Sequence, residues 1–198
     1  MIYLFRYLLV ATLTFGFVMP LLYSNEKSMN VSVSPASSLI IKGESNVNKF
    51  QCSYDVLQFS DSIEVSFISD KAYLNFTNTQ LHLKNSFFDC GHKAINRDFN
   101  KLLKTDEFPS IKIELISAHN QPNNLSIMTK LNIVISGISK RYDIPVEVDK
   151  TTDGVMICGN LPIDINDFNL SPPKKLLGMI KVSNKIEIDF NLAVKTSE

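Results

Sequence analysis

Three histidines and three cysteines are the scarcest reactive side chains of this 198-residue chain, and neither set is spaced for chemistry. His82 falls at a polar position of an alternating stretch, His92 leads into a helical pattern and His119 begins a turn-rich segment. None has a serine, cysteine or carboxylate at the spacing that would make it the base of a nucleophilic pair. Cys52, Cys90 and Cys158 show no CxxC and no paired Cys/His spacing, and the two adjacent donors of Cys90-Gly91-His92 do not make a zinc site. Carboxylates are plentiful, but Glu64, Glu114, Glu147, Glu187 and Asp189 take the solvent side of alternating segments, where no shielded pocket tunes them. There is no nucleophile elbow, phosphate loop, dinucleotide fingerprint or H-E-x-x-H. No catalytic residue, metal or cofactor is therefore expected. An enzymatic reading would rest on His92 or Asp98 alone.

Charge excludes further classes. Lysine plus arginine is 20 and aspartate plus glutamate is 20, so the net charge is zero and no basic footprint for nucleic acid exists. A mean hydropathy of +0.04 is too low for a chain that crosses a membrane many times. At the N-terminus Arg6 precedes an uncharged run from Tyr7 to Tyr23, broken by Pro20 before the small Ser24. This is the pattern of a secretory signal peptide over residues 1–24, cleaved near Ser24, with an uncleaved anchor as the alternative. Either outcome places the rest outside the cytoplasm, periplasmic or secreted, where thiols pair and three cysteines leave one odd. Residues 25–37 read as an N-terminal arm and 38–195 as one domain.

The elements that must position any site are strands. Ile186, Ile188, Phe190, Leu192 and Val194 alternate with polar or small residues, as do Ile111, Ile113 and Leu115, then Leu125, Ile127, Leu131, Ile133 and Ile135. Ile144, Val146 and Val148 continue the pattern, and Ile63, Val65, Phe67, Leu81 and Leu83 give shorter examples. Period-2 alternation gives each strand one dry and one wet face, hence an antiparallel sheet closed as a sandwich or barrel. Turn chemistry separates the strands at 120–124, Ser136-Gly137, 151–154 and Ser183-Asn184. One segment breaks the period: Ala94, Ile95, Phe99, Leu102 and Leu103 recur at helical spacing, with Phe108-Pro109 ending the amphipathic helix. The dry face is either a filled core or, in a wider barrel, the lining of a cavity for an apolar guest. The pattern leaves both open.

Several stretches resemble the YceI-like family of exported lipid-binding barrels. Leu39 to Phe50 is similar to its opening strand and Gly-x-Ser-x-Val segment. Asn96-Arg97-Asp98, Leu103-Lys104 and Phe108-Pro109-Ser110-Ile111 resemble its helix and Phe-Pro-x-Ile stretch. Ile135 to Lys140, followed by Ile144-Pro145-Val146, is similar to its Gly-x-(Thr/Ser)-Lys hairpin. Asp167-Phe168, Ser171-Pro172-Pro173, Gly178 and Lys181-Val182 resemble its most specific part, the tail. The likeness runs from Ser38 to Val194.

That resemblance implies an all-β, extended antiparallel lipocalin-like barrel of about eight strands with one short amphipathic helix. It also implies a non-catalytic protein whose interior holds a polyisoprenoid chain, quinone or prenyl phosphate in type, for carriage or storage in the cell envelope. The partners expected are thus an isoprenoid lipid and transiently a membrane, with no nucleic acid. Phe50 to Tyr54 and Asp89-Cys90-Gly91 look like the cysteine-bearing subgroup, which implies a Cys52–Cys90 bridge and leaves Cys158 odd, on the outer face. His92-Lys93-Ala94 ahead of Asn96 departs from the family pattern. With the alternation, the barrel reading makes Ile111, Ile113, Leu131, Ile133, Ile188, Phe190 and Leu192 the cavity lining. The helix, with Phe99 and Leu103, gates or plugs the cavity. The alternative function is a ligand-free structural or interaction domain of the envelope.

Overall fold

The computed structural model describes residues 26–59, 62–121, 126–172 and 179–197. The expected export segment, residues 1–24, lies outside them, as do Leu125 and the Pro173 and Gly178 of the C-terminal motif. In chain order the first six strands are β1 (Glu26–Val33), β2 (Ser38–Glu44), β3 (Lys49–Tyr54), β4 (Ile63–Asp70), β5 (Tyr73–Lys84) and β6 (Phe88–Asp89). The helix α1 (Lys93–Leu102) comes next. Five strands follow: β7 (Ser110–Asn120), β8 (Ile127–Ile135), β9 (Ile138–Thr151), β10 (Gly154–Asp164) and β11 (Lys185–Ser197).

Eight strands make a closed antiparallel barrel in the order β1-β4-β5-β7-β8-β9-β10-β11, with β1 paired back onto β11. The closing strand has two parts. β11 pairs with β1 along Val194–Ser197 and with β2 along Glu187–Asn191. At the change-over the Ala193 N–H donates to Ser37 Oγ at 2.9 Å, supplying a partner where the ladder is interrupted. β3 and the two-residue β6 then extend the sheet beyond β2. The segment 25–37, expected as an arm outside the barrel, thus contains the strand that closes it. Met29, Val31 and Val33 alternate with polar residues there and pair against β4 and β11.

Cross-strand partners share a face, so register fixes what points inward. Ile113 lies opposite Leu81 and Ile133, Leu131 opposite Leu115 and Tyr142, and Ile188 opposite Leu161 and Ile41. The β8–β9 hairpin turns on Ser136 (φ 49°) and Gly137 (φ 79°), the paired left-handed conformation that matches strand twist. Shifts of register in β5, between Asn75 and Thr79, and in β7, between Leu115 and Ser117, bend the wall. There Thr79 Oγ1 accepts the Ser66 N–H at 3.1 Å.

α1 closes one end of the barrel. It stops one residue short of the last apolar position, Leu103, because Lys104 adopts φ 50° and turns the chain back toward β7. Leu103 lies just past the helix and is buried against the barrel, where its carbonyl accepts the Ser136 hydroxyl at 2.8 Å. Phe99 rests on Phe88 with ring centroids 5.2 Å apart. Most of the core sits at this end, among Leu39, Ile41, Cys52, Tyr54, Leu83, Phe88, Ile133, Ile163 and Phe168.

Candidate functional site: the barrel interior

All seven residues expected to line the cavity face the interior, but they divide into two kinds. Ile111, Leu131 and Ile133 are buried within the packed end. Ile113, Ile188, Phe190 and Leu192 face inward in mid-barrel and remain only half-buried. An inward side chain that keeps accessible surface borders unfilled space, since a packed interior leaves few voids larger than water. The same holds further along for Val65, Phe67, Phe76, Leu115, Val155, Ile157 and Val194. Near the far rim, Met29, Leu74 and Val148 face inward and are exposed. The inward face is thus mainly apolar, interrupted by Thr79 and Thr129 in the wall and by Ser69, Lys27 and Lys150 toward the rim; it is closed at the α1 end and open toward the β4–β5 and β9–β10 connections.

Local sequence explains the bore's width at one point. Phe190 lies opposite Gly159, and a Cβ on Gly159 would come 2.4 Å from Phe190 Cζ. The ring therefore lies flat across the glycine rather than projecting into the space, a close approach only glycine permits.

The closed end is held by covalent and polar ties. Cys52 and Cys90 are bridged across a sequence separation of 38, joining β3 to the segment that enters α1. Asn96 Oδ1 accepts the Cys90 N–H at 2.7 Å, and Asp89 Oδ1 accepts from the Gly91 N–H and from Asn96 Nδ2, both at 2.9 Å. These donors hold the Asp89 carboxyl below its usual range, the Asn96 amide contributing most. Asn85, 1% exposed, donates from Nδ2 to Thr105 Oγ1 and to the Phe108 carbonyl, fastening the turn after α1. Tyr142 stacks on Phe168 at 6.4 Å. Burial, with the carboxylates of Asp167 and Asp164 nearby, pushes its phenol up to about 12.

Two of the three histidines have structural contacts. His92 is the N-cap of α1, its Nδ1 accepting the Ala94 N–H at 3.2 Å. His119 stacks on Tyr73 at the open rim, 4.9 Å between centroids, and His82 is exposed on β5 opposite Lys112. Cys158 shares the outer face with Glu147 and Asn191. On the same face Asp189 pairs with Lys42 and accepts from Asn160, which together lower its pKa. No group of three or more His, Cys, Asp or Glu side chains positioned to hold a metal occurs among the described residues.

Sequence reading missed the open half of the lining. Met29, Val31 and Val33 alternate legibly but lie in the segment expected as an arm, and Val65, Phe67 and Val148 read as strand positions with nothing to separate bore from core.

No curated protein matches the chain. Two solved structures share its architecture. BcnA of Burkholderia cenocepacia has a TM-score of 0.66 at 20% identity, covering 83% of this chain and all of that one. A polyisoprenoid-binding domain from Saccharophagus degradans, implicated in plant cell wall breakdown, has a TM-score of 0.61 at 14% identity, covering 85% of this chain and 99% of that one. The YceI-like domain matches residues 32–194, which takes in β2 to β10, most of β11 and the last two residues of β1, and the chain belongs to the YceI-like family.

Proposed function

We propose that the chain is a lipid-binding protein, not an enzyme, and that its bore holds a polyisoprenoid chain of the quinone or prenyl phosphate type for carriage or storage in the cell envelope. The observation that carries this reading is the half-buried state of Ile113, Ile188, Phe190 and Leu192, apolar residues that face inward in mid-barrel yet keep accessible surface. A guest chain would cover that surface. Each buried methylene is worth about 0.8 kcal/mol, so an isoprenoid tail outweighs the cost of its own ordering without any polar contact. The binding named for the Saccharophagus degradans domain supports the same ligand class. Ile111, Leu131 and Ile133 would form the floor, and α1 with Phe99 and Leu103 the plug beneath it. Export by the 1–24 segment, with cleavage near Ser24, completes the reading, and no cofactor is required.

Native mass spectrometry of the protein expressed in the periplasm, followed by organic extraction, tests it. One co-purifying isoprenoid per chain is expected. A clean apo mass that persists after incubation with quinones and prenyl phosphates would instead support a ligand-free structural domain. Phe190→Asp combined with Leu192→Asp should abolish retention in a folded protein, since both side chains face the open part of the bore.

A further inference from the structure

We infer that the open rim of the barrel docks on a lipid bilayer, so that the guest passes between membrane and bore without crossing water. This rests on the lipid-binding reading and adds the surface and its partner. Seven large apolar side chains are exposed among the described residues, and four of them stand at this rim: Met29 (39%), Tyr73 (51%), Leu74 (37%) and Val148 (37%). Contiguous exposed apolar surface marks an interaction site more than scattered residues do. Met29, Leu74 and Val148 face inward by register, opposite Val65, Ala118 and Ile157, so exposed apolar surface continues from the rim into the bore, with Lys27, Lys150 and Ser69 beside it on the same face. The opposite end has no such continuity, being sealed by α1, the Cys52–Cys90 bridge and the core.

The rim's polar groups suit a headgroup layer. Tyr73 stands outside the bore, stacked on His119, an amphipathic ring of the kind that settles at a membrane interface. Exposed Lys71 stands at the β4–β5 turn, and exposed Lys27 and Lys150, opposite Phe67 and Val155, stand on the inner side of the opening, with stems long enough to lie along apolar surface while their charge stays in water. Glu26, Asp70, Asp149 and Asp153 balance these lysines and Lys195, so apolar insertion carries the docking and little depends on salt or on anionic lipid.

The absence of tryptophan gives a clean test. Tyr73→Trp reports the open rim, and Val47→Trp reports the β2–β3 hairpin tip at the other end. Both are mixed with phosphatidylcholine vesicles carrying brominated acyl chains. Emission from Tyr73→Trp should shift to the blue and be quenched, with Val47→Trp unchanged, and adding Leu74→Asp should weaken the partitioning about tenfold. Quenching confined to Val47→Trp, or of neither probe with vesicles in excess, overturns the inference. Native masses of the same preparations separate the two readings. Bound lipid with unquenched Tyr73→Trp leaves carriage standing and removes docking. Quenched Tyr73→Trp with no guest does the reverse.

Discussion

The two ends of the barrel use the same residue types at the same period and reach opposite outcomes. At the α1 end, Leu83, Ile133, Ile163 and Phe168 are sealed. At the other, Phe67, Phe76, Leu192 and Val194 face the same interior and stay half-buried. What differs is the material between strands. The closed end gathers α1, the 3-10 turns at Asn85–Phe87 and Ile165–Phe168, and the added strands β2, β3 and β6. The open end receives tight connections such as Lys71-Ala72 and Thr152-Asp153. Alternation decides which face is dry, and the irregular segments decide whether the dry face is filled.

The largest effect should separate the two ends directly. Phe168→Ala, at 1% exposure, should cost about 3–5 kcal/mol by leaving a cavity in a packed region. Leu192→Ala should cost about 1 kcal/mol or less, since its side chain borders space already unfilled. Urea denaturation of both variants decides the matter. Equal losses would mean the bore is packed throughout.

Next in size is the bridge. Cys52→Ser with Cys90→Ser should lower stability by about 2–4 kcal/mol, the range for a loop of this length. Because the bridge lies at the closed end, thermal unfolding should shift while retention of bound lipid in the folded fraction does not. Release of lipid from folded protein would show that the α1 end also serves as an opening.

This division also marks how far the sequence could be read. The strands holding Ile111, Ile133, Ile144 and Phe190 were legible from period 2 alone, and α1 from the spacing of Ile95, Phe99 and Leu102, because both periods follow from backbone geometry. The Cys52–Cys90 pairing was not legible from spacing and came from the family likeness, since three cysteines admit three pairings. Inward direction was legible for Ile113 and Ile133 alike, but not that one is half-buried and the other sealed. That depends on Asn85, Leu103 and Phe168, residues of irregular segments far away in sequence. β1 was missed because a strand is defined by its partners, here Val65 and Val194, and Glu26–Val33 directly follows the apolar run that was read as an export segment.

A finer probe of the bore is Gly159→Val. The new side chain must displace the Phe190 ring, whose Cζ lies 2.4 Å from where the Cβ would stand. Overpacking a filled core costs about 1–3 kcal/mol. With open space beside the ring, the loss should stay below about 1 kcal/mol, while the amount of lipid extracted per chain falls. A larger destabilisation with unchanged lipid content would place the guest elsewhere.

The smallest effect is confined to alkaline pH. The Tyr142 phenol, held near 12 in the folded chain against about 10 when unfolded, keeps its proton in the native state over the window where the unfolded state loses it. The unfolded state then binds fewer protons, so stability falls as pH rises from about 10 to about 12. Tyr142→Phe should leave the urea midpoint near neutrality almost unchanged and flatten its decline across that window, because the ring still stacks on Phe168 and no phenolate can form. An identical decline in both proteins would mean that Tyr142 is as wet as an open-rim residue, and that the seal around Phe168 does not reach β9.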